Sequence, residues 1–117
     1  MAERLRIFVV EDEMMIALMI EDMVADLGHH LAGVAMRLPQ ALEKAKDVDA
    51  DVAILDINLD GSKSFPVAEL LRERGVRLVF ASGYGSPGLE APFLDALIIK
   101  KPFEARDLKA MIERAAA

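Results

Sequence analysis

The 117-residue chain predicts an α/β domain, a doubly wound parallel sheet of five strands with helices on both faces. Three observations carry this expectation. Five short runs rich in β-branched and aromatic residues recur along the chain, with helical apolar spacing or turn chemistry between them. The central run, Val52-Ala53-Ile54-Leu55, is apolar throughout, as a strand buried on both faces must be. Finally, polar side chains gather where the runs stop: Glu11-Asp12, Asp56, Ser82 and Lys101. Burying an unpaired carboxylate is costly, so Asp56 is either a solvated strand end or a site residue.

The first strand is Leu5-Arg6-Ile7-Phe8-Val9-Val10, ending on Glu11-Asp12-Glu13. Met15, Ile16, Met19, Ile20, Met23 and Leu27 then follow three/four spacing, which predicts an amphipathic helix over about 13–27 with Gly28 as its C-terminal stop. Its methionines are expected to fill the core. His29 and His30 lie in the following turn without the neighbours of a metal site. A weaker second strand covers Leu31-Ala32-Gly33-Val34-Ala35, and Leu38-Pro39 opens a helix through Ala41, Leu42 and Ala45.

An acidic loop from Asp47 to Asp51 leads into the Asp56 strand, which turns through Asp60-Gly61. Ser64-Phe65-Pro66 predicts an N-cap with proline just inside a helix, whose buried side is Val67, Leu70 and Leu71 and which ends at Gly75. Val76-Arg77-Leu78-Val79-Phe80-Ala81 is the fourth strand. Residues 83–93 hold three glycines and two prolines, so any helix there is expected to be short, late-starting or mobile. Gly83, Gly85 and Gly88 formally match a dinucleotide fingerprint, but Pro87 and Pro92 spoil the helix it requires and the turn reading is better. Ala96-Leu97-Ile98-Ile99 is the fifth strand, Lys100-Lys101-Pro102-Phe103 a turn, and Leu108, Met111, Ile112 and Ala115 stripe a last helix. One domain over residues 1–117 is expected, with no linker or repeat.

Composition narrows the function classes. A hydrophobic fraction of 54% argues against disorder, and there is no apolar run of the length a membrane span needs. With no cysteine, disulfides and thiolate metal sites are excluded, which suits a cytoplasmic location. A net charge of −6 disfavours nucleic acid as a direct partner.

Five alternating strands imply the flavodoxin-like (βα)5 order 2-1-3-4-5, in which ligands bind beyond the carboxyl ends of the strands. That order sets Glu11, Asp12, Asp56, Ser82 and Lys101 around one pocket. Three clustered carboxylates raise one another's pKa, and a hard cation such as Mg²⁺ relieves the repulsion. One carboxylate is then placed to act as nucleophile towards a phosphoryl group.

In this ordered set the whole chain resembles a response-regulator receiver domain of two-component signalling. The resemblance implies that Asp56 is the phosphoacceptor and that Glu11, Asp12, Asp56 and the backbone carbonyl of Asn58 hold Mg²⁺. It implies that Ser82 donates its hydroxyl to the acyl phosphate and that Lys101 pairs with a phosphate oxygen. The Lys101-Pro102 bond is cis in the family. Most receivers carry Tyr or Phe three residues before the lysine, where this chain has Ile98. Phe80-Ala81-Ser82-Gly83-Tyr84-Gly85 is instead similar to the signature of the FATGUY receiver subgroup, often served by histidine kinases of the HWE type. Output is therefore expected to run through Gly83 to Gly88 with Tyr84 moving, and Asn58 and Tyr84 are expected to govern access of water to the phosphate.

The resulting expectation is a stand-alone receiver that takes a phosphoryl group from a sensor histidine kinase onto Asp56, signals to a downstream protein through the surface of the fourth helix, fifth strand and last helix, and catalyses only its own phosphorylation and dephosphorylation. Two alternatives stand beside it. A haloacid-dehalogenase-like phosphatase also uses a strand-end Asp with Mg²⁺, but needs an acid where this chain has Asn58. A pseudo-receiver would use the fold for binding alone, leaving the charged set without a purpose.

Overall fold

The computed structural model describes residues 4–83 and 88–117. In chain order its elements are β1 (Arg6–Val10), α1 (Met14–Asp26), β2 (His30–Ala35), α2 (Leu38–Ala45), β3 (Val52–Asp56), β4 (Asn58–Leu59), β5 (Ser62–Lys63), α3 (Phe65–Glu73), β6 (Arg77–Ser82), β7 (Leu97–Lys100) and α4 (Ala105–Ala116). The main sheet is parallel in the order β2-β1-β3-β6-β7. With the small hairpin β4–β5 set aside, this is the flavodoxin-like 2-1-3-4-5 order.

Alternation along the strands divides the core between the two faces. Phe8, Val10, Leu55 and Phe80 pack towards α2 and α3, whereas Ile7, Val9, Ile54 and Val79 share the opposite cluster with residues of α1 and α4. Val10 pairs with Leu55, Leu55 with Phe80 and Phe80 with Ile98. The next row out contains Asp56, Ala81 and Ile99, with Glu11 directly following Val10. The register thus carries the acids one step beyond the last apolar row.

Three local features differ from the sequence expectation. Of the α1 methionines only Met23 packs against the core, and that partly: Met15 is 72% and Met19 51% exposed, and Met14 and Leu18 are exposed as well. The buried stripe is Ala17, Ile20 and Val24, and the helix is apolar almost all round, so spacing alone could not select its inner face. Ser64 occupies the α3 N-cap position without a side-chain cap. Its carbonyl, not its hydroxyl, receives the Val67 and Ala68 amides, and Pro66 offers no N–H. Among the described residues the connection between β6 and β7 contains no helix, so four helices rather than five flank the sheet. Pro92, joined to Ala91 by a cis bond, and Gly88 interrupt the segment 88–96. It is held by its one buried aromatic, Phe93, which stacks on Phe65 at 5.8 Å and meets Phe80 edge-on at 5.5 Å.

His29 has a structural role: its Nδ1 accepts the Leu5 amide at 3.1 Å where β1 and β2 begin. Nearby, Asp51 accepts both the Arg6 amide at 2.8 Å and the Arg6 guanidinium. The guanidinium hydrogen bond holds the Asp51 carboxyl below the usual carboxylate range. A depressed native pKa contributes stability above the unfolded pKa and loses it as pH falls through the native one. Asp51→Asn is therefore expected to melt a few degrees below wild type at pH 7, with the gap closing below about pH 4; thermal melts across that range check it.

Candidate functional site

The site lies at the carboxyl ends of β1, β3 and β6 and in the turn after β7, where the sheet order brings these ends side by side. Asp56 ends β3 and is 5% exposed; Glu11 follows β1 and is 1% exposed. The Glu11 amide is held by the Ala35 carbonyl at 3.0 Å, and a Glu11 carboxylate oxygen accepts the Glu13 amide at 3.1 Å. Lys101 reaches in from the far side of the sheet. Its Nζ donates to Glu11 Oε1 at 2.9 Å and to Asp56 Oδ2 at 3.0 Å. The Lys101 amide is fixed by the Ser82 carbonyl at 2.8 Å, and the Lys101-Pro102 bond is cis. Lys100, one residue earlier, is exposed on β7.

Asp12 joins this pair: ligand oxygens of Glu11, Asp12 and Asp56 all lie within 4.8 Å of one another. Asp12 Oδ2 accepts the Asp60 amide at 2.9 Å. Together with Asn58, Gly83, Lys101, Pro102 and Phe103, Asp12 and Asp56 line a cleft of about 440 Å³. One wall of that cleft is apolar, made by Ile16, Met19, Ile20 and Met23 of α1.

Electrostatics follow from crowding. Burial, aided by the neighbouring Asp56 charge, pushes the Glu11 carboxyl up to about 7 against the opposing pull of Lys101. Burial likewise raises Asp56. For Asp12 burial is outweighed by hydrogen bonds from Glu11 and from the Asp60 amide, and its pKa falls. Burial works against the Lys101 ammonium, but its two carboxylate partners prevail and raise its pKa. Three carboxyl groups thus crowd around one ammonium. Three hard oxygen donors within 4.8 Å of one another, beside a cleft, are a fit for a divalent cation of the Mg²⁺ kind.

The remaining sequence candidates are placed as follows. Ser82 ends β6 and is half-buried, and its hydroxyl makes a 3.5 Å contact with the Gly83 carbonyl. Asn58 opens the β4–β5 hairpin, with its side-chain oxygen accepting the Gly61 amide at 3.1 Å. Ile98 lies in the row of Val10, Leu55 and Phe80, on the sheet face opposite the Asp56 row, and is 39% exposed. Tyr84, with Gly85, lies outside the described residues. Two residues escaped the sequence reading. Asp60 supports Asp12 through its amide, and Arg37 donates to the Asp12 carbonyl at 3.2 Å. The Asp60-Gly61 pair was a legible signal, since Asp-Gly favours the two-residue hairpin turn that makes this contact.

The family model for the response regulator receiver domain matches residues 7–113. Among curated proteins, the phyllosphere-induced regulator PhyR of Methylorubrum extorquens is 34% identical over 113 residues, which is 93% of this chain and 42% of that protein. The chain therefore spans less than half the length of that relative. Among solved structures, SdrG from Sphingomonas melonis superposes with a TM-score of 0.87 at 35% identity, each chain covered completely. A mutant of the anti-anti-sigma factor PhyR from Bartonella quintana gives a TM-score of 0.84 at 26% identity, covering 97% of this chain and 49% of that one. By the family model over residues 7–113 and the likeness to SdrG, the chain belongs to the response regulator receiver domains, which are signalling modules rather than conventional enzymes.

Proposed function

We propose that the chain accepts a phosphoryl group on Asp56 from a kinase phosphohistidine and passes the signal to a protein partner. The observation that carries this reading is Lys101 bridging Asp56 and Glu11 at 3.0 and 2.9 Å beside Asp12. Glu11, Asp12, Asp56 and the Asn58 carbonyl would hold Mg²⁺. Bound there, the ion supplies positive charge to the oxygens of the transferring group.

An Asp56 carboxylate oxygen attacks phosphorus, a P–O bond forms, and the P–N bond to the donor imidazole breaks. The electron pair stays on the leaving nitrogen, which takes up a proton. Lys101 faces the phosphoryl oxygens, and Ser82 at the end of the adjacent strand supplies a hydroxyl to the acyl phosphate. The donor docks on α1, whose exposed Met14, Met15, Leu18 and Met19 continue the apolar wall of the cleft. Such a face fits a helix presenting its own apolar residues beside the phosphohistidine. The FATGUY-like stretch at Phe80–Gly85 favours a kinase of the HWE type. The likeness to PhyR lies in the receiver portion, so what carries over from it is acceptor chemistry. Output runs from Ser82 through the connection to β7 rather than through Ile98, whose side chain offers neither ring nor hydroxyl.

Mass spectrometry after incubation with acetyl phosphate and Mg²⁺ tests the acceptor. Wild type is expected to gain one phosphoryl group and Asp56→Ala none. Absence of the adduct on wild type, or an equal adduct on the variant, overturns the reading.

A further inference from the structure

We infer that Asp60 and Arg37 are positioning residues for Asp12, clamping its main chain and its carboxylate from outside the cleft so that it meets a divalent cation in one fixed orientation. This rests on the Mg²⁺ reading above. Lys101 already ties Glu11 and Asp56 together from the β7 side. Asp12 is held from the other side, by a different set of elements.

The hairpin β4–β5 turns on Asp60 and Gly61, whose φ values of 51° and 90° both lie in the left-handed region. A two-residue hairpin turn of this type needs positive φ at both central positions, and aspartate tolerates it better than branched residues do. That conformation directs the Asp60 amide at Asp12 Oδ2, 2.9 Å away. The Asn58 side chain secures the turn by accepting the Gly61 amide at 3.1 Å.

Arg37 closes the clamp from the β2–α2 connection. It donates to the Met36 carbonyl at 2.8 Å and to the Asp12 carbonyl at 3.2 Å, while its Nε lies 3.8 Å from an Asp60 carboxylate oxygen. One Asp12 carboxylate oxygen is thereby engaged by an amide, which fixes the orientation of the whole carboxylate. A hydrogen bond to an ionised carboxylate is stronger than a neutral one. Outer partners of this kind change metal affinity by roughly 10- to 100-fold when removed.

The test separates the Asp60 amide from its side chain. Mg²⁺ binding is measured calorimetrically for wild type, Asp60→Asn, Asp60→Gly and Asp60→Val. Asparagine and glycine accept the left-handed turn and keep the amide in place, so affinity is expected within about threefold of wild type. Valine disfavours that conformation and is expected to weaken binding about tenfold. Arg37→Met is expected to fall between these limits. Equal affinity in all variants overturns the inference, as does an equal loss in all three Asp60 variants, which would assign the effect to the carboxylate.

A second arm needs neither metal nor a folded valine variant. In metal-free protein the Asp60 amide proton is expected downfield in the ¹⁵N–¹H spectrum and displaced upfield by Asp12→Ala. A resonance that does not move overturns the clamp. Failure of wild type to bind Mg²⁺ at all overturns the metal reading, and this inference with it, and is told apart from a failed clamp by the wild-type titration alone.

Discussion

Replacing Lys101 with methionine is expected to slow phosphorylation of Asp56 by roughly 10²- to 10³-fold and to destabilise the metal-free protein by about 3 kcal/mol. Both effects have one origin. The ammonium sits 2.9 Å from Glu11 and 3.0 Å from Asp56, two carboxylates that are almost wholly buried. Methionine preserves much of the apolar stem but leaves the two acids facing each other with no counter-charge. Removing one partner of a buried ion pair costs more than the pair contributes, because the survivor keeps its desolvation penalty.

Mg²⁺ separates the two roles of the lysine. At about 100 times its dissociation constant, a ligand bound by the native state alone stabilises it by about 2.7 kcal/mol. In Lys101→Met the gain is expected to be larger, since the cation also relieves the exposed carboxylate repulsion. Urea unfolding with and without Mg²⁺ measures this, and single-turnover transfer from acetyl phosphate measures the rate. A variant with wild-type stability and reduced rate would confine Lys101 to the phosphoryl group. A variant with wild-type rate would remove it from the proposed chemistry.

The sheet and its charged rim were legible in the sequence because their signals are local. Ile7–Val10 and Val52–Leu55 are continuous apolar runs of strand length, and the parallel order follows from the alternation of runs and helices. Once that order is drawn, Glu11, Asp12, Asp56 and Lys101 can meet nowhere but at one end of the sheet. What the sequence did not disclose depends on three-dimensional competition. Which side of α1 is buried cannot be read from a helix that is apolar around most of its circumference. The cap at Ser64 looked right by residue type but lost its usual amide targets to Pro66 and to its own carbonyl.

Long-range support was equally hidden. Arg37 lies 25 positions from Asp12, and the Asp60 amide 48 positions from it, so no spacing within a single element announces either contact. The Asp-Gly turn predicts a hairpin, but the partner of that hairpin emerges only when β1 and β3 lie side by side. The same holds for Ile98. Its position three residues before the lysine was readable, whereas its place on the face opposite the Asp56 row required the register.

Phe93→Ala is expected to cost about 3–5 kcal/mol overall and to release the segment 88–96 while the rest of the domain stays folded. Phe93 is 1% exposed and lies in a stretch without helix or strand between Gly88 and Ala96. Backbone hydrogen bonds there are turn bonds, Phe93 amide to the Glu90 carbonyl and Ala96 amide to the Phe93 carbonyl. The segment therefore depends on side-chain anchoring where a helix would supply its own ladder. Phe93 provides it by stacking on Phe65 and meeting Phe80 edge-on, with the Arg72 guanidinium 5.2 Å from its ring centroid. Lys63 adds an ion pair to Glu90 from the hairpin side, but that pair is exposed and contributes little. Truncation leaves a ring-sized cavity against Phe80, two residues from Ser82, so the loss reaches the strand end that the proposed site uses. Amide exchange reports both levels: protection in β1 and β3 should fall by the global amount, and the Phe93-flanking amides, which start from a lower opening free energy, should be left close to unprotected. Equal residual protection in strands and segment would mean that 88–96 unfolds only with the whole domain, and that Phe93 supports the core without governing the connection between Ser82 and β7.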